Sequence, residues 1–186
     1  MKRKEEIRIL AREKDKSLSE EYRISSGKKI IETIIKMPAY HEACVIFCFA
    51  GVRSEIDTKL LLVDALSNEK TLGLPKCREN NEMDVFSIRN LSELQKGFYG
   101  LLEPNDSCRL IAPEKIDLCI VPCLACDKEG RRMGKGGGYY DRYLSRCNGL
   151  KICVCREALI LDEVPVDSFD VQMDIVVTEK NVYFYG

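Results

Sequence analysis

The chain has no long hydrophobic run, no excess of either charge and a single histidine, His41. Its longest unbroken apolar stretch, Ala43 to Ala50, is eight residues, whereas a bilayer-spanning helix needs roughly 20. Lys+Arg is 29 against Asp+Glu 30, which excludes a generally basic nucleic-acid binder and leaves only a local basic patch. The amino terminus, MKRKEEIRIL, carries charge with no apolar stretch behind it, unlike a secretory leader. These absences predict a soluble cytoplasmic protein with no membrane and no nucleic-acid partner. What is present suffices for a core: 186 residues, 45% of them hydrophobic, suit one domain spanning 1–186.

Ten cysteines stand out against that background. Many lie inside apolar runs such as CVIFCF and LCIVPCLAC, and a reducing compartment disfavours a disulfide framework. The one metal-like spacing is Cys123-x-x-Cys126, with Cys119 four residues earlier. A structural zinc site wants two such pairs, or one pair and two histidines. The other close pair, Cys153-x-Cys155, reads as alternating strand positions, so the cysteines are expected to pack as small buried hydrophobes.

The first 36 residues read as two helices. Ile7, Leu10 and Ala11 form a thin stripe in the first, while Ser19 caps the second. Ile24, Ile30, Ile31, Ile34 and Ile35 are its expected core face, and Pro38 stops the run. Residues 43–51 are continuously apolar, as in a strand buried on both faces, and 116–121, interrupted only by Asp117, reads as a second buried strand. Helical spacing returns over 55–68. Short strands are predicted at 71–74 and 83–88 around a Pro-Lys-Cys turn, and at 150–155, 173–177 and 182–185. Residues 89–115 are read as a surface wrap, and a helix is expected from about Gly138 to Cys147. Strands separated by helices indicate an α/β layered fold with a largely parallel sheet.

Chemistry concentrates at 127–142. Five of the twelve glycines lie between 130 and 138, after a buried strand and before a helix. Glycine lets phosphate oxygens approach backbone amides with no Cβ in the way. A helix start adds unpaired N–H groups, and Arg131, Arg132 and Lys135 add positive charge. General signatures fail, however: the run matches neither a Walker A loop nor a dinucleotide fingerprint. Asp141 suits ordinary dipole complementation in a first helical turn, or Mg²⁺ beside a polyphosphate. Asp167, Asp170 and Asp174 are candidates for a second carboxylate, or plain loop solvation. Asp57 or Thr58 serves as an N-cap, or Asp57 accepts from a polar ring.

The run Pro122…Asp127-x-x-Gly130-x-Arg132-Met-Gly134-x-Gly136-x-Gly138-Tyr-Tyr-Asp141-Arg142 closely resembles the signature of the 5-formyltetrahydrofolate cyclo-ligase family. Lys4-x-x-x-Arg8, Leu18-Ser19, Glu55-Ile-Asp57-Thr58, Leu74-Pro75, Glu103-Pro104 and Asp170…Asp174 follow in the order of that family. The resemblance implies a three-layer α/β/α sandwich and an ATP- and Mg²⁺-dependent ligase of one-carbon metabolism; a monomer is expected because no exposed apolar stripe is left over in the sequence. Such an enzyme converts 5-formyltetrahydrofolate to 5,10-methenyltetrahydrofolate, releasing ADP and phosphate through a phosphorylated formyl intermediate.

By position, the resemblance assigns ATP to Lys4, Arg8, Arg132, Gly134, Lys135, Gly136, Gly137, Gly138, Tyr139 and Tyr140. It assigns Mg²⁺ to Asp141 and Asp170. It assigns folate to Val52, Asp57, Tyr99, Lys135, Gly136, Gly138 and Tyr139, and catalysis to Arg132, Lys135, Tyr139 and Asp141. The chain departs from the family pattern at Gly137, where some members have lysine. It departs also at Cys123 and Cys126, and at Phe169, where histidine is common before the metal aspartate. The rival reading is a nucleotide- or phosphate-binding module without ligase activity. A lesser one is a single-stranded nucleic-acid contact through Arg131, Arg132 and Lys135 beside Tyr139 and Tyr140.

Overall fold

The computed structural model describes residues 2–51, 55–97 and 100–185. Helices α1 (Lys2–Ser17) and α2 (Glu20–Ile35) meet at Ser19, whose hydroxyl accepts from the Tyr22 amide at 3.2 Å and starts the second helix. α2 buries Ser26, Gly27, Ile30, Ile31 and Ile34, while Ile24 is 65% exposed. Ile30, Ile31 and Ile34 face the core as expected, whereas Ile24 sits at the edge of that face, about 20° beyond Ile31 around the helix, and is left uncovered. A short α3 (Pro38–Glu42) leads into strand β1 (Val45–Phe47), and α4 (Lys59–Ser67) follows.

β2 (Thr71–Cys77) and β3 (Met83–Ile88) form an antiparallel pair, with Pro75 opposite Val85. Pro-Lys-Cys is thus strand, and the reversal comes later. β1 has ended opposite Gly73, so Pro75 sits where that edge of β2 is unpaired and its missing N–H costs nothing. Within the expected surface wrap lie β4 (Leu94–Lys96) and β5 (Leu102–Pro104), an antiparallel pair, and β6 (Arg109–Ile111), which extends the main sheet. The rest comprises β7 (Leu118–Pro122), β8 (Ala125–Asp127), β9 (Arg132–Met133), helix α5 (Tyr139–Leu144) and β10 (Leu150–Val154). β11 (Ile160–Leu161), β12 (Ile175–Val177) and β13 (Val182–Phe184) complete it.

The main sheet runs β13-β12-β10-β7-β1-β2-β3-β6, with β12, β10, β7, β1 and β2 parallel and β13, β3 and β6 antiparallel. Pleating sends Ile46, Leu118, Ile120, Ile152 and Val154 to one core face, packed with the isoleucines of α2 and Leu61, Leu62 and Ala65 of α4. Phe47, Cys119, Val121, Cys153 and Cys155 go to the other, which α5 covers with Tyr143 and Leu144. A small sheet, β11-β8-β9, sits beside α1 through Ala11, Ala125, Met133 and Val164. The chain leaves β1 first for β2 and later for β7, so the crevice where the order reverses lies between β1 and β7, beyond their carboxyl ends. Ligands of open α/β sheets bind at such a point. Among the described residues no helix is long and apolar enough to cross a membrane.

Candidate functional site

The groups that converge on that crevice come from strand ends, the loop after β9, the start of α5 and helix α1. The loop's foundation is Asp127, fully buried at the end of β8. One carboxylate oxygen accepts from the Glu129 and Arg131 amides at 3.0 Å each; the other accepts from the Val164 amide at 2.8 Å and Arg131 Nε at 2.6 Å. Gly130 completes the turn at φ +78°, where a Cβ would lie 2.2 Å from the Met173 carbonyl oxygen. These two residues of the motif shape the turn; they are not themselves the cradle.

The cradle begins at Arg132, whose side chain is 4% exposed. Its Nη2 donates to Asp141 Oδ1 at 3.0 Å, its Nη1 to the Pro122 carbonyl at 3.4 Å, and its guanidinium lies 5.5 Å from the Tyr140 ring. Tyr140 turns inward and stacks on Phe47 at 5.8 Å, and burial pushes its phenol well above the ordinary value. Only its backbone is left to line the loop. Gly136 and Gly138 have φ of +107° and +68°. Gly138 starts α5, which has six residues and stops short of the expected Cys147. A helix that short contributes little macrodipole, so anion attraction must come from loop amides and side chains. A Cβ at Gly137 would sit 2.8 Å from the Tyr139 ring, so glycine there lets that half-buried ring lie along the loop.

Helix α1 leans over the same loop. Arg8 Nε donates to the Gly134 carbonyl at 3.1 Å, and Lys4, one turn earlier, pairs with Asp170 and with Asp167 at 2.7 Å. Phe169, where the family often has histidine, lies under the Lys4 ammonium at 5.5 Å. Asp141 Oδ1 also accepts from the Val171 amide at 3.3 Å, so Asp141 and Asp170 stand on adjoining segments. Lys135 reaches across the crevice to Glu55. Asp57 is exposed, and its carboxylate accepts from the Lys59 amide at 2.9 Å, capping α4. Thr58 beneath it is buried and donates to the Phe49 carbonyl at 2.5 Å. Val52 and Tyr99 lie outside the described residues.

The structure therefore brings Lys4, Arg8, Arg132, Lys135, the glycines, Tyr139, Asp141 and Asp170 to one loop. Asp57 stands on the segment that Glu55 ties to it. Lys135, Glu55, Phe49, Pro122, Cys123 and Arg156 border an open cleft. Glu55 and Arg156 had no assigned role, although Glu55 stood inside a quoted motif. Arg131 pairs with Asp127, Arg132 with Asp141, Lys135 with Glu55 and Lys4 with Asp170. Each of these four cations is thus matched to a carboxylate.

The sequence model of the 5-formyltetrahydrofolate cyclo-ligase family matches residues 1–179. The chain is 29% identical over 175 residues to a probable 5-formyltetrahydrofolate cyclo-ligase of Schizosaccharomyces pombe, covering 85% of this chain and 86% of that one. It is 25% identical over 188 residues to the 5-formyltetrahydrofolate cyclo-ligase of Mus musculus, covering 94% and 93%. The NMR structure of Aquifex aeolicus 5,10-methenyltetrahydrofolate synthetase superposes with a TM-score of 0.87 at 35% identity, covering 97% of this chain and 92% of that one.

Proposed function

The chain belongs to the 5-formyltetrahydrofolate cyclo-ligase family, and from that premise we propose that it closes 5-formyltetrahydrofolate to 5,10-methenyltetrahydrofolate with ATP. The observation that carries the reading is the paired-charge arrangement at the glycine loop. Lys4 and Arg132 hold Asp170 and Asp141 on adjoining segments above a loop without side chains at 136–138. A triphosphate arriving there exchanges partners: its oxygens take Lys4, Arg8, Arg132 and the amides of Gly134 to Tyr140, and the two carboxylates are released.

Oxygen donors from one or two carboxylates are what Mg²⁺ uses when phosphate completes its shell, so the residues fit that ion, and Asp141 and Asp170 would hold it. When bound it supplies neutralisation of charge on the β- and γ-phosphates.

The formyl oxygen attacks the γ-phosphorus and the bond to the ADP oxygen breaks. N10 then adds to the activated carbon, phosphate leaves with the former formyl oxygen, and N10 gives up its proton. Phosphorylation matters because an amide-type oxygen is otherwise a poor leaving group. Arg132 is buried and held by the Pro122 carbonyl and the Tyr140 ring, so once phosphate has replaced Asp141 as its partner it meets developing phosphoryl charge with little further movement. Lys135, 63% exposed, is free to swing from Glu55 to the transferring group. Tyr139 and Asp57 border the folate side, where Asp57 accepts from the pterin. Most of the rate enhancement is positioning and charge stabilisation.

The test is turnover of 5-formyltetrahydrofolate followed by near-ultraviolet absorbance of the methenyl product. Product that requires both ATP and Mg²⁺ is expected. A folded protein that binds ATP and yields no product would overturn the ligase reading in favour of a nucleotide-binding module.

A further inference from the structure

The two cysteine pairs that look unrelated in sequence meet in space. The sulfurs of Cys123, Cys126 and Cys155 all lie within 4.8 Å of one another. Cys153 lies beside Cys123 and Cys126 but outside that mutual limit, so it is the fourth sulfur that would have to close in on an ion. The fold explains the meeting. β7 and β10 are parallel neighbours in register, with Val154 opposite Pro122, so the residues that follow each strand emerge side by side. Cys153 and Cys155, two positions apart, point to the same core face, and Cys126 is brought back under them by the turn into β8. Cys126, Cys153 and Cys155 are 0%, 0% and 2% exposed, and only Cys123 is half-buried.

We propose that Cys123, Cys126, Cys153 and Cys155 form a structural zinc site beneath the active-site loop. Zinc bound by thiolates at about 2.3 Å in a tetrahedron sets its sulfurs about 3.8 Å apart, within the 4.8 Å limit that three of these sulfurs already satisfy. A donor set of four sulfurs, three of them buried, is that of a structural rather than a catalytic ion. On binding, each ligating thiol releases its proton to solvent. The thiol of Cys123 meanwhile gives up its contact with the Val154 carbonyl, and that of Cys155 its contact with the Arg156 carbonyl, 3.4 and 3.5 Å long.

Zinc with four thiolates leaves a net charge of −2 in the interior, which needs positive company. Arg132 and Arg156 supply it, with side chains 4% and 5% exposed. Arg132 also keeps its Nε–H buried with no acceptor, beside thiols that metal binding would turn into acceptors. Cys123 and Cys155 also border the cleft. The ion would therefore staple the β7–β8 turn to the end of β10, fixing the floor on which Arg132 is presented.

Metal analysis of the purified, reduced full-length protein is expected to find about one zinc per chain that survives gel filtration with a weak chelator. Replacement by Co²⁺ should give a thiolate-to-cobalt charge-transfer band in the near ultraviolet and tetrahedral ligand-field bands in the visible. Cys126→Ser and Cys155→Ser should each lower retained zinc at least about tenfold, while Cys44→Ser, at an exposed cysteine outside the cluster, should leave it unchanged. If the cluster variants do not fold, wild-type zinc content and the cobalt spectrum decide alone. Wild type without zinc and without the charge-transfer band would overturn the site, as would a mass two hydrogens short that marks a disulfide. These readouts are independent of ligase activity.

Discussion

Replacing Asp127 by asparagine, the change usually regarded as mild, is expected to unfold the base of the glycine loop. The carboxylate is fully buried and faces donors on both sides: the Glu129 and Arg131 amides on one oxygen, the Val164 amide and Arg131 Nε on the other. An amide can offer its oxygen to only one side. Whichever way it flips, its NH₂ points at N–H groups that have no other acceptor. The Val164 amide is the costly one, because Val164 is 1% exposed. A buried donor left unsatisfied costs about 1–3 kcal/mol, and loss of charge-assisted bonds at the loop amides brings the total to about 2–4 kcal/mol. The exposed Arg131 guanidinium adds little. With a urea m-value of about 2 kcal/mol/M, the unfolding midpoint should fall by about 1–2 M. Asp127→Ala should cost as much or slightly more, since it leaves the same donors and a void. Urea titration followed by circular dichroism at neutral pH measures both. An asparagine variant within about 0.3 M of wild type would refute the donor-count argument.

Asp141→Asn should keep the fold, because the amide oxygen still accepts from Arg132. Turnover should nonetheless fall at least about 10³-fold, roughly 4 kcal/mol of barrier; near-wild-type kcat would remove Asp141 from the metal site. Asp57→Ala should raise KM for the folate at least about tenfold with KM for ATP unchanged, and an equal rise in both would undo its place beside the pterin. Its lost cap on α4 should cost only about 1 kcal/mol, read from the same urea titration. The Lys4 hydrogen bond, with its charge, holds the Asp167 carboxyl below its ordinary value of 3.8. A depressed folded-state value contributes stability above that pH and loses it as pH falls through the lower value. Amide exchange in the 167–171 segment should therefore accelerate below about pH 4, and Lys4→Met should abolish that acid-dependent step.

Some of this protein can be read from residue order alone. The apolar runs at 43–51 and 118–121 announce strands buried on both faces, because only a strand with sheet neighbours and covered faces removes every side chain from water. Ser19 and Pro38 mark the ends of α2 through local hydrogen-bonding and ring geometry, which need no partner from elsewhere. The glycine run with Arg132 and Asp141 is legible too, since backbone freedom and charge are properties of the residues themselves.

The two- and three-residue strands β8, β9 and β11 were not legible: periodicity needs several residues to show, and these strands exist because neighbours offer free edges. Pro75 lies within a strand because β1 ends early, a fact of the sheet rather than of the dipeptide. Ile24 was misplaced because only the packed partner decides how far around the helix the buried face extends. The pairing of Arg132 with Asp141 and of Lys4 with Asp170 likewise depends on where α1 comes to rest. The cysteines show the division most sharply. Their order along the chain shows only one metal-like pair, and it is the parallel adjacency of β7 and β10 that gathers Cys123, Cys126 and Cys155 into one place with Cys153 beside them. Residue order carries what each side chain and local backbone can do, whereas which groups face one another follows from strand order, which long-range burial selects.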